Sequence, residues 1–184
     1  MAATSSMLPL GTELPRFTLP DVTTGRAFDS ASLLGSVSIV AMLCNHCPYV
    51  KHVAPTLGTV TRDLIARGVR VAAVSSNDVL AYPDYSPALM VEEARLRGYA
   101  FPYLFDEAQD VARAFGAVCT PEFYVFDPQG KLAYRGRMDA SSPKNGLSAT
   151  GVDLRAAVDA LLAGGRPTDE QHASIGCSIK WKGG

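Results

Sequence analysis

Residues 37–43, Val-Ser-Ile-Val-Ala-Met-Leu, form a nearly continuous apolar run. A run of that length is buried most readily as a strand covered on both faces, which calls for a sheet with helices packed against it. Val69 to Val74 repeats the pattern. Between the two, Val53, Leu57, Val60 and Leu64 recur at helical spacing up to Arg67-Gly68, where glycine supplies the stop. Pro55 lies inside that helix and predicts a kink. Strand, helix and strand in this order imply a parallel crossover.

The rest of the chain extends the plan. Residues 8–29 carry Pro9, Pro15, Pro20 and a Thr24-Gly25 turn, which predicts a small hairpin leading into the domain. Ser86-Pro87 opens a helix as cap and first position, closing at Gly98, and Asp110 to Phe115 is a short helix ended by Gly116. Glu122 to Asp127 reads as a strand, Pro128-Gln-Gly130 as a turn, and Lys131 to Arg135 as the returning strand. Asp153 is expected to cap a last helix whose apolar face is Leu154, Ala157, Val158, Leu161 and Leu162. The order βαβα(α)ββα predicts an α/β fold, a mixed sheet covered by helices with an antiparallel edge.

At 184 residues, 1–184 is expected to form a single domain. Lys plus Arg number 17 against 18 for Asp plus Glu, a net charge of −1. That balance argues against nucleic acid or an anionic membrane as partner. The N-terminus has no basic region followed by an apolar run, and no stretch approaches the roughly 20 apolar residues of a membrane span. A cytoplasmic location is therefore expected. The oligomeric state is not legible.

Four cysteines, at 44, 47, 119 and 177, are too few and too unevenly spaced for a disulfide-stapled mini-protein. In a reducing compartment a close pair points instead to redox or metal chemistry. Cys44-Asn45-His46-Cys47 falls where the first strand ends and its helix begins. Residues i and i+3 of a helical turn share one face, so the two sulfurs can reach bonding distance. The helix start offers unpaired N–H groups and the positive end of the dipole, both of which favour thiolate. The first cysteine of such a turn is expected to be exposed and the second covered, which assigns Cys44 as the attacking thiol and Cys47 as the one that resolves the mixed disulfide. Two readings of His46 stand: a positive charge beside the thiolate, or a solvated turn residue. A structural zinc would need two further ligands, and Cys119 and Cys177 form no second CxxC, so neither metal nor cofactor is expected.

The leader Gly11-Thr-Glu-Leu-Pro-Arg-Phe17, Leu19-Pro-Asp21, CNHCPYV at 44–50, SSND at 75–78, CTPEFYVFD at 119–127 and GCSIKWK at 176–182 together resemble the thioredoxin-fold redoxins of the AhpC/TSA superfamily. Within it they are most similar to the peroxiredoxin-like bacterial group that bears a CxxC. The resemblance implies a thioredoxin-like fold, a central mixed sheet flanked by helices, with an N-terminal hairpin and a C-terminal extension. It places Thr120-Pro121 at the loop whose cis proline faces the cysteine pair and offers the preceding backbone to an extended substrate. Asn45, His46, Thr120, Pro121 and Cys119 then become neighbours of the active site. Cys119 is read either as a second resolving thiol or as a small buried side chain. Ser174 to Lys182 is too apolar for a free end and reads as an extended, docked segment. Its Cys177, a possible second redox cysteine, either pairs with Cys119 or stays packed and reduced.

The departures from the family pattern matter. Aligning the peroxidatic cysteine of peroxiredoxins with Cys47 puts Cys44 where they carry Thr, and Val40 where they carry Pro. Against ordinary thioredoxins, Leu43 stands for the Trp before the first cysteine and Ser38 for the buried acid. The implied activity is thiol–disulfide exchange on Cys44 and Cys47, in an antioxidant or redox-homeostasis role. Its partners would be a protein or small-molecule thiol or disulfide and a dithiol electron donor. The alternatives are a thiol-dependent peroxidase and a redox-sensing binding protein without turnover.

Overall fold

The computed structural model describes residues 2–183. Its centre is a five-stranded sheet in the order β6-β5-β4-β8-β9. Strands β4 (Ser38–Met42) and β8 (Glu122–Phe126) are buried at every position, as two-sided burial requires. β4 runs parallel to β5 (Arg70–Ser75), and β5 parallel to β6 (Tyr103–Phe105). β8 is antiparallel to β4 and to β9 (Leu132–Gly136), so the edge is antiparallel as expected. β6 is unforeseen, because three residues show no alternation to read.

Alternation along the strands sorts the core into two layers. Ile39, Ala41, Leu43, Phe123 and Val125 face helices α1 (Pro48–Ala66) and α4 (Val152–Leu162), meeting Val53, Leu57, Val60 and Leu64 from the first and Leu154, Ala157 and Val158 from the second. Met90 and Ala94 of α2 (Pro87–Arg97) join the same layer. On the other face Val40, Met42, Tyr124 and Phe126 pack on Phe115 and on Val111 and Ala112 of α3 (Asp110–Ala114). Each large side chain so buried contributes about 1.5–3 kcal/mol. The expected hairpin is present as β2 (Thr18–Pro20) and β3 (Ala27–Asp29), with Leu19 opposite Phe28.

Two helix starts differ from expectation. α1 begins at Pro48, with Cys47 as its extended N-cap residue, and runs through Pro55 to Ala66 as one helix. The cysteine pair therefore occupies the turn before the helix rather than its first turn. α4 begins at Val152, with Gly151 as N-cap at φ 72°, and Asp153 lies inside the first turn, where its carboxylate accepts from Arg137 Nε at 2.6 Å. A Cβ on residue 151 would press into the Val60 side chain, so close docking of α4 on α1 requires glycine there.

A second, small sheet fixes the C-terminal segment. Strand β10 (Ile175–Ser178) lies between β1 (Ala2–Thr4) and β7 (Cys119–Thr120), antiparallel to both. The tail is docked as expected, and beyond β10 it is pinned further. Asn77 Oδ1 accepts from Lys180 N, Gln109 Oε1 accepts from Lys182 N, and the Arg113 guanidinium sits 4.7 Å from the Trp181 ring centre.

Candidate active site

The parallel strand β4 delivers Cys44 at its carboxyl end, and the turn Asn45-His46 brings Cys47 to the start of α1. Across from them the Thr120–Pro121 peptide bond is cis. Thr120 touches both cysteines. Its hydroxyl lies 3.1 Å from Cys44 Sγ, and its carbonyl oxygen 3.4 Å from Cys47 Sγ, accepting when Cys47 is protonated. All four cysteines are free thiols in this structure.

Exposure does not separate the pair: Cys44 is 1% and Cys47 0% exposed. The premise for giving the attack to Cys44, an open first sulfur and a covered second, does not hold. Their surroundings do separate them. Cys47 is lowered to about 5, first because the Cys44 thiol donates to its sulfur, against burial, with Cys177 as a second thiol donor. The Val50 amide, third in α1, adds to this without completing a capping hydrogen bond. Hydrogen bonds to a charged acceptor are worth about 1.5–3 kcal/mol each, so several together outweigh the desolvation of one thiolate. Cys44 is driven the other way, raised by burial, then by its hydrogen bond to Cys47 and the charge there. The opposed shifts favour Cys47 over Cys44 as the sulfur that ionises first.

Of the other expected neighbours, Asn45 is buried and donates from Nδ2 to the Asp84 carbonyl at 2.6 Å, which ties the turn to the segment 83–85. His46 is exposed, 3.9 Å from the Asp84 carboxylate and edge-on to Tyr85. Its exposure and its Asp84 and Tyr85 neighbours fit the solvated-turn reading. Cys119 is fully buried and points to the other side of its strand from Thr120, with Sγ 3.9 Å from the Ser174 carbonyl. Burial first, and then the nearby Glu122, push its thiol up to about 12. That placement is the one expected of a small buried side chain.

The register of β10 decides between the partners of Cys177. Cys177 lies opposite Thr120, and Ser178 opposite Cys119. Directly opposed residues of an antiparallel pair share a face, so Cys177 stands on the Thr120 side and Cys119 on the reverse. A Cys119–Cys177 couple is therefore excluded in this arrangement. Cys177 instead joins the layer that holds Cys44 and Cys47. Its half-buried thiol is pushed up to about 11, chiefly by burial and then by donating to Cys47.

Two groups escaped sequence reasoning. Tyr85 is buried beside the pair, its hydroxyl raised by burial and then by the cysteine charges. Glu122 is fully buried, with one carboxyl oxygen bonded by the Ser5 hydroxyl and the other without a partner among the described residues. Burial raises its pKa. The available signal was a charged residue directly after Pro121 in an otherwise apolar strand. A shallow cavity of about 170 Å³ flanks Pro121, lined in part by Tyr49, Val53, Met138 and Ile175. Among the described residues no three His, Cys, Asp or Glu side chains are grouped to hold a metal, and no helix is long and apolar enough to cross a membrane.

Comparison with known proteins fits this geometry. A family profile described as AhpC/TSA family matches residues 10–135. An uncharacterized conserved protein from Geobacillus kaustophilus is 45% identical, with TM-score 0.97 over 100% of this chain and 98% of that one. A hypothetical protein from Sinorhizobium meliloti is 41% identical, with TM-score 0.95 over 98% of this chain and 99% of its own. A secreted disulfide oxidoreductase from Mycobacterium tuberculosis is 20% identical, with TM-score 0.61 over 79% of this chain and 96% of that one. At that identity the likeness is one of fold, and the fold is thioredoxin-like. No curated protein matches the chain.

Proposed function

The chain belongs to the AhpC/TSA family, and from that premise we propose that it is a thiol–disulfide oxidoreductase working through Cys44 and Cys47. The observation that carries this reading is the cysteine pair set against Thr120 of the cis-proline loop, with Cys47 lowered and Cys44 raised in pKa. In the reductive direction the Cys47 thiolate attacks one sulfur of a substrate disulfide and expels the other as a thiolate. The Cys44 proton passes to that leaving group. The Cys44 sulfur then attacks Cys47, breaking the mixed disulfide, and the second substrate sulfur leaves with the electron pair. The substrate gains two electrons, one proton from Cys44 and, on its second sulfur after it leaves as thiolate, one from solvent, and the protein holds Cys44–Cys47 as a disulfide until a dithiol donor reduces it. The Thr120 hydroxyl supports the second attack by donating to the Cys44 sulfur as its charge develops.

A second reading, peroxidase chemistry on Cys47, is favoured by one observation. The edge of the cis-proline loop, where an extended protein substrate would pair, is taken by the chain's own β10. A small hydroperoxide needs no such edge. The Cys47 thiolate would break the O–O bond, becoming a sulfenic acid as the alcohol or water leaves, and Cys44 would condense with it, releasing water.

Insulin reduction and hydrogen peroxide consumption, each driven by dithiothreitol, test both. Turnover in either assay that is lost in Cys47→Ser is the expected result. A Cys47→Ser protein that keeps the wild-type rate would overturn the assignment.

A further inference from the structure

Strand β10 sits on the cis-proline loop in the way an extended substrate would. It is antiparallel to β7, and Cys177 lies opposite Thr120, the residue that contacts both sulfurs of the pair. β1 holds it on its other side, with Ala2 opposite Cys177. The approach depends on Gly176: a Cβ there would collide with the Thr120 carbonyl and the Pro121 nitrogen, backbone atoms that cannot swing away. Cys177 therefore packs into the layer of Cys44 and Cys47, and it is the one residue of the three that is not fully buried. Of the pair, Cys47 is the sulfur to which the Cys177 thiol donates.

We propose that Cys177 is a third exchanging thiol, through which the sealed Cys44–Cys47 pair passes its disulfide to the protein surface. The step rests on the redox reading above. The Cys177 sulfur, as thiolate, attacks Cys47 of the Cys44–Cys47 disulfide. The Cys47–Cys177 bond forms, the Cys44–Cys47 bond breaks, and the electron pair leaves on Cys44, which takes up the proton that Cys177 released. Nothing is oxidised or reduced overall. The product is a disulfide between α1's cap residue and the half-exposed tail strand, where a dithiol donor can reach it without opening the core.

Disulfide mapping of the full chain tests this. Trypsin leaves Cys44 and Cys47 together on Ala27–Lys51, Cys119 on Ala114–Lys131 and Cys177 on Ala156–Lys180, so each link has its own peptide signature. The protein is oxidised with stoichiometric diamide, a two-electron thiol oxidant, and remaining thiols are alkylated in acid. The wild type should yield both an internally linked Ala27–Lys51 peptide and the Ala27–Lys51/Ala156–Lys180 cross-link. Cys44→Ser should yield the cross-link alone, within one chain. Gly176→Ala, which lifts β10 off Thr120, should lose the cross-link and keep the internal one. An internal Cys44–Cys47 link with Cys177 fully alkylated in the wild type and no cross-link in Cys44→Ser overturns this inference alone. A cross-link undiminished in Gly176→Ala overturns its geometric basis. If the wild type forms no Cys44–Cys47 link, the underlying redox reading falls with it.

Discussion

Removing the Cys44 thiol should move the ionisation of Cys47 upward by an amount the site itself sets. In Cys44→Ala the largest cause of the depression, the Cys44 S–H donor, is gone, while the Cys177 thiol and the Val50 amide remain. A hydrogen bond to a charged acceptor is worth about 1.5–3 kcal/mol, and one pKa unit corresponds to about 1.36 kcal/mol. Cys47 should therefore rise from about 5 in the wild type by roughly one to two units. At pH 6 its thiolate fraction would fall from about 90% to between about 10% and 50%. The assay is the pH dependence of iodoacetamide labelling, read by mass spectrometry on the Ala27–Lys51 peptide, where Cys47 is then the single cysteine. Burial slows the absolute rate but leaves the midpoint unchanged. The companion variant Cys47→Ala isolates Cys44, whose principal perturbation, burial, persists, so it should titrate above the ordinary cysteine range. A midpoint for Cys47 that stays put in Cys44→Ala would refute the polarised pair, as would a Cys44 that ionises below neutrality in Cys47→Ala.

Two further substitutions probe the frame around the site. Glu122 has its folded pKa raised above the unfolded 4.5 by burial, so the folded state holds its proton after the unfolded chain has lost it, and this residue costs stability progressively as pH rises from about 4.5 toward the folded pKa. Glu122→Gln should accordingly gain on the wild type as pH increases through that window in urea unfolding; a difference that does not change with pH contradicts the assignment. Gly58 in α1 would, as alanine, drive its Cβ into the Arg97 carbonyl at the end of α2. Alanine's helical advantage is worth at most about 1 kcal/mol against overpacking of about 1–3 kcal/mol, so Gly58→Ala should unfold at lower urea, and a neutral or stabilised variant would show that α2 yields.

The layered sheet was readable because β4 and β5 are buried on both faces, which leaves an unbroken apolar run in local sequence. The pair at 44 and 47 was readable for a related reason, its place after such a run. What escaped was set by contacts distant in sequence. β1, β7 and β10 are two to four residues long, and their pairing of Ala2 with Cys177 and of Cys177 with Thr120 has no local signature. The partner of Cys177 followed from that register, so a Cys119–Cys177 couple seemed open until the strand faces were known. The exposure expected of Cys44 was inferred from position in the turn, whereas Tyr85 and the docked tail bury both cysteines. Asp153 has the composition of a cap, but the tight approach of α4 to Val60 gave that position to Gly151.

The central claim is that Cys44 and Cys47 form a reversible redox couple. Equilibration of the wild type in glutathione buffers of graded potential, followed by acid quenching, alkylation and quantification of Ala27–Lys51, measures it directly. The account predicts a reversible two-electron transition from the doubly alkylated peptide to disulfide-linked forms that include the internal Cys44–Cys47 link, a link absent from Cys44→Ser and from Cys47→Ser. A peptide that remains alkylated at both cysteines in the most oxidising buffer, or that gains only glutathione, would contradict it.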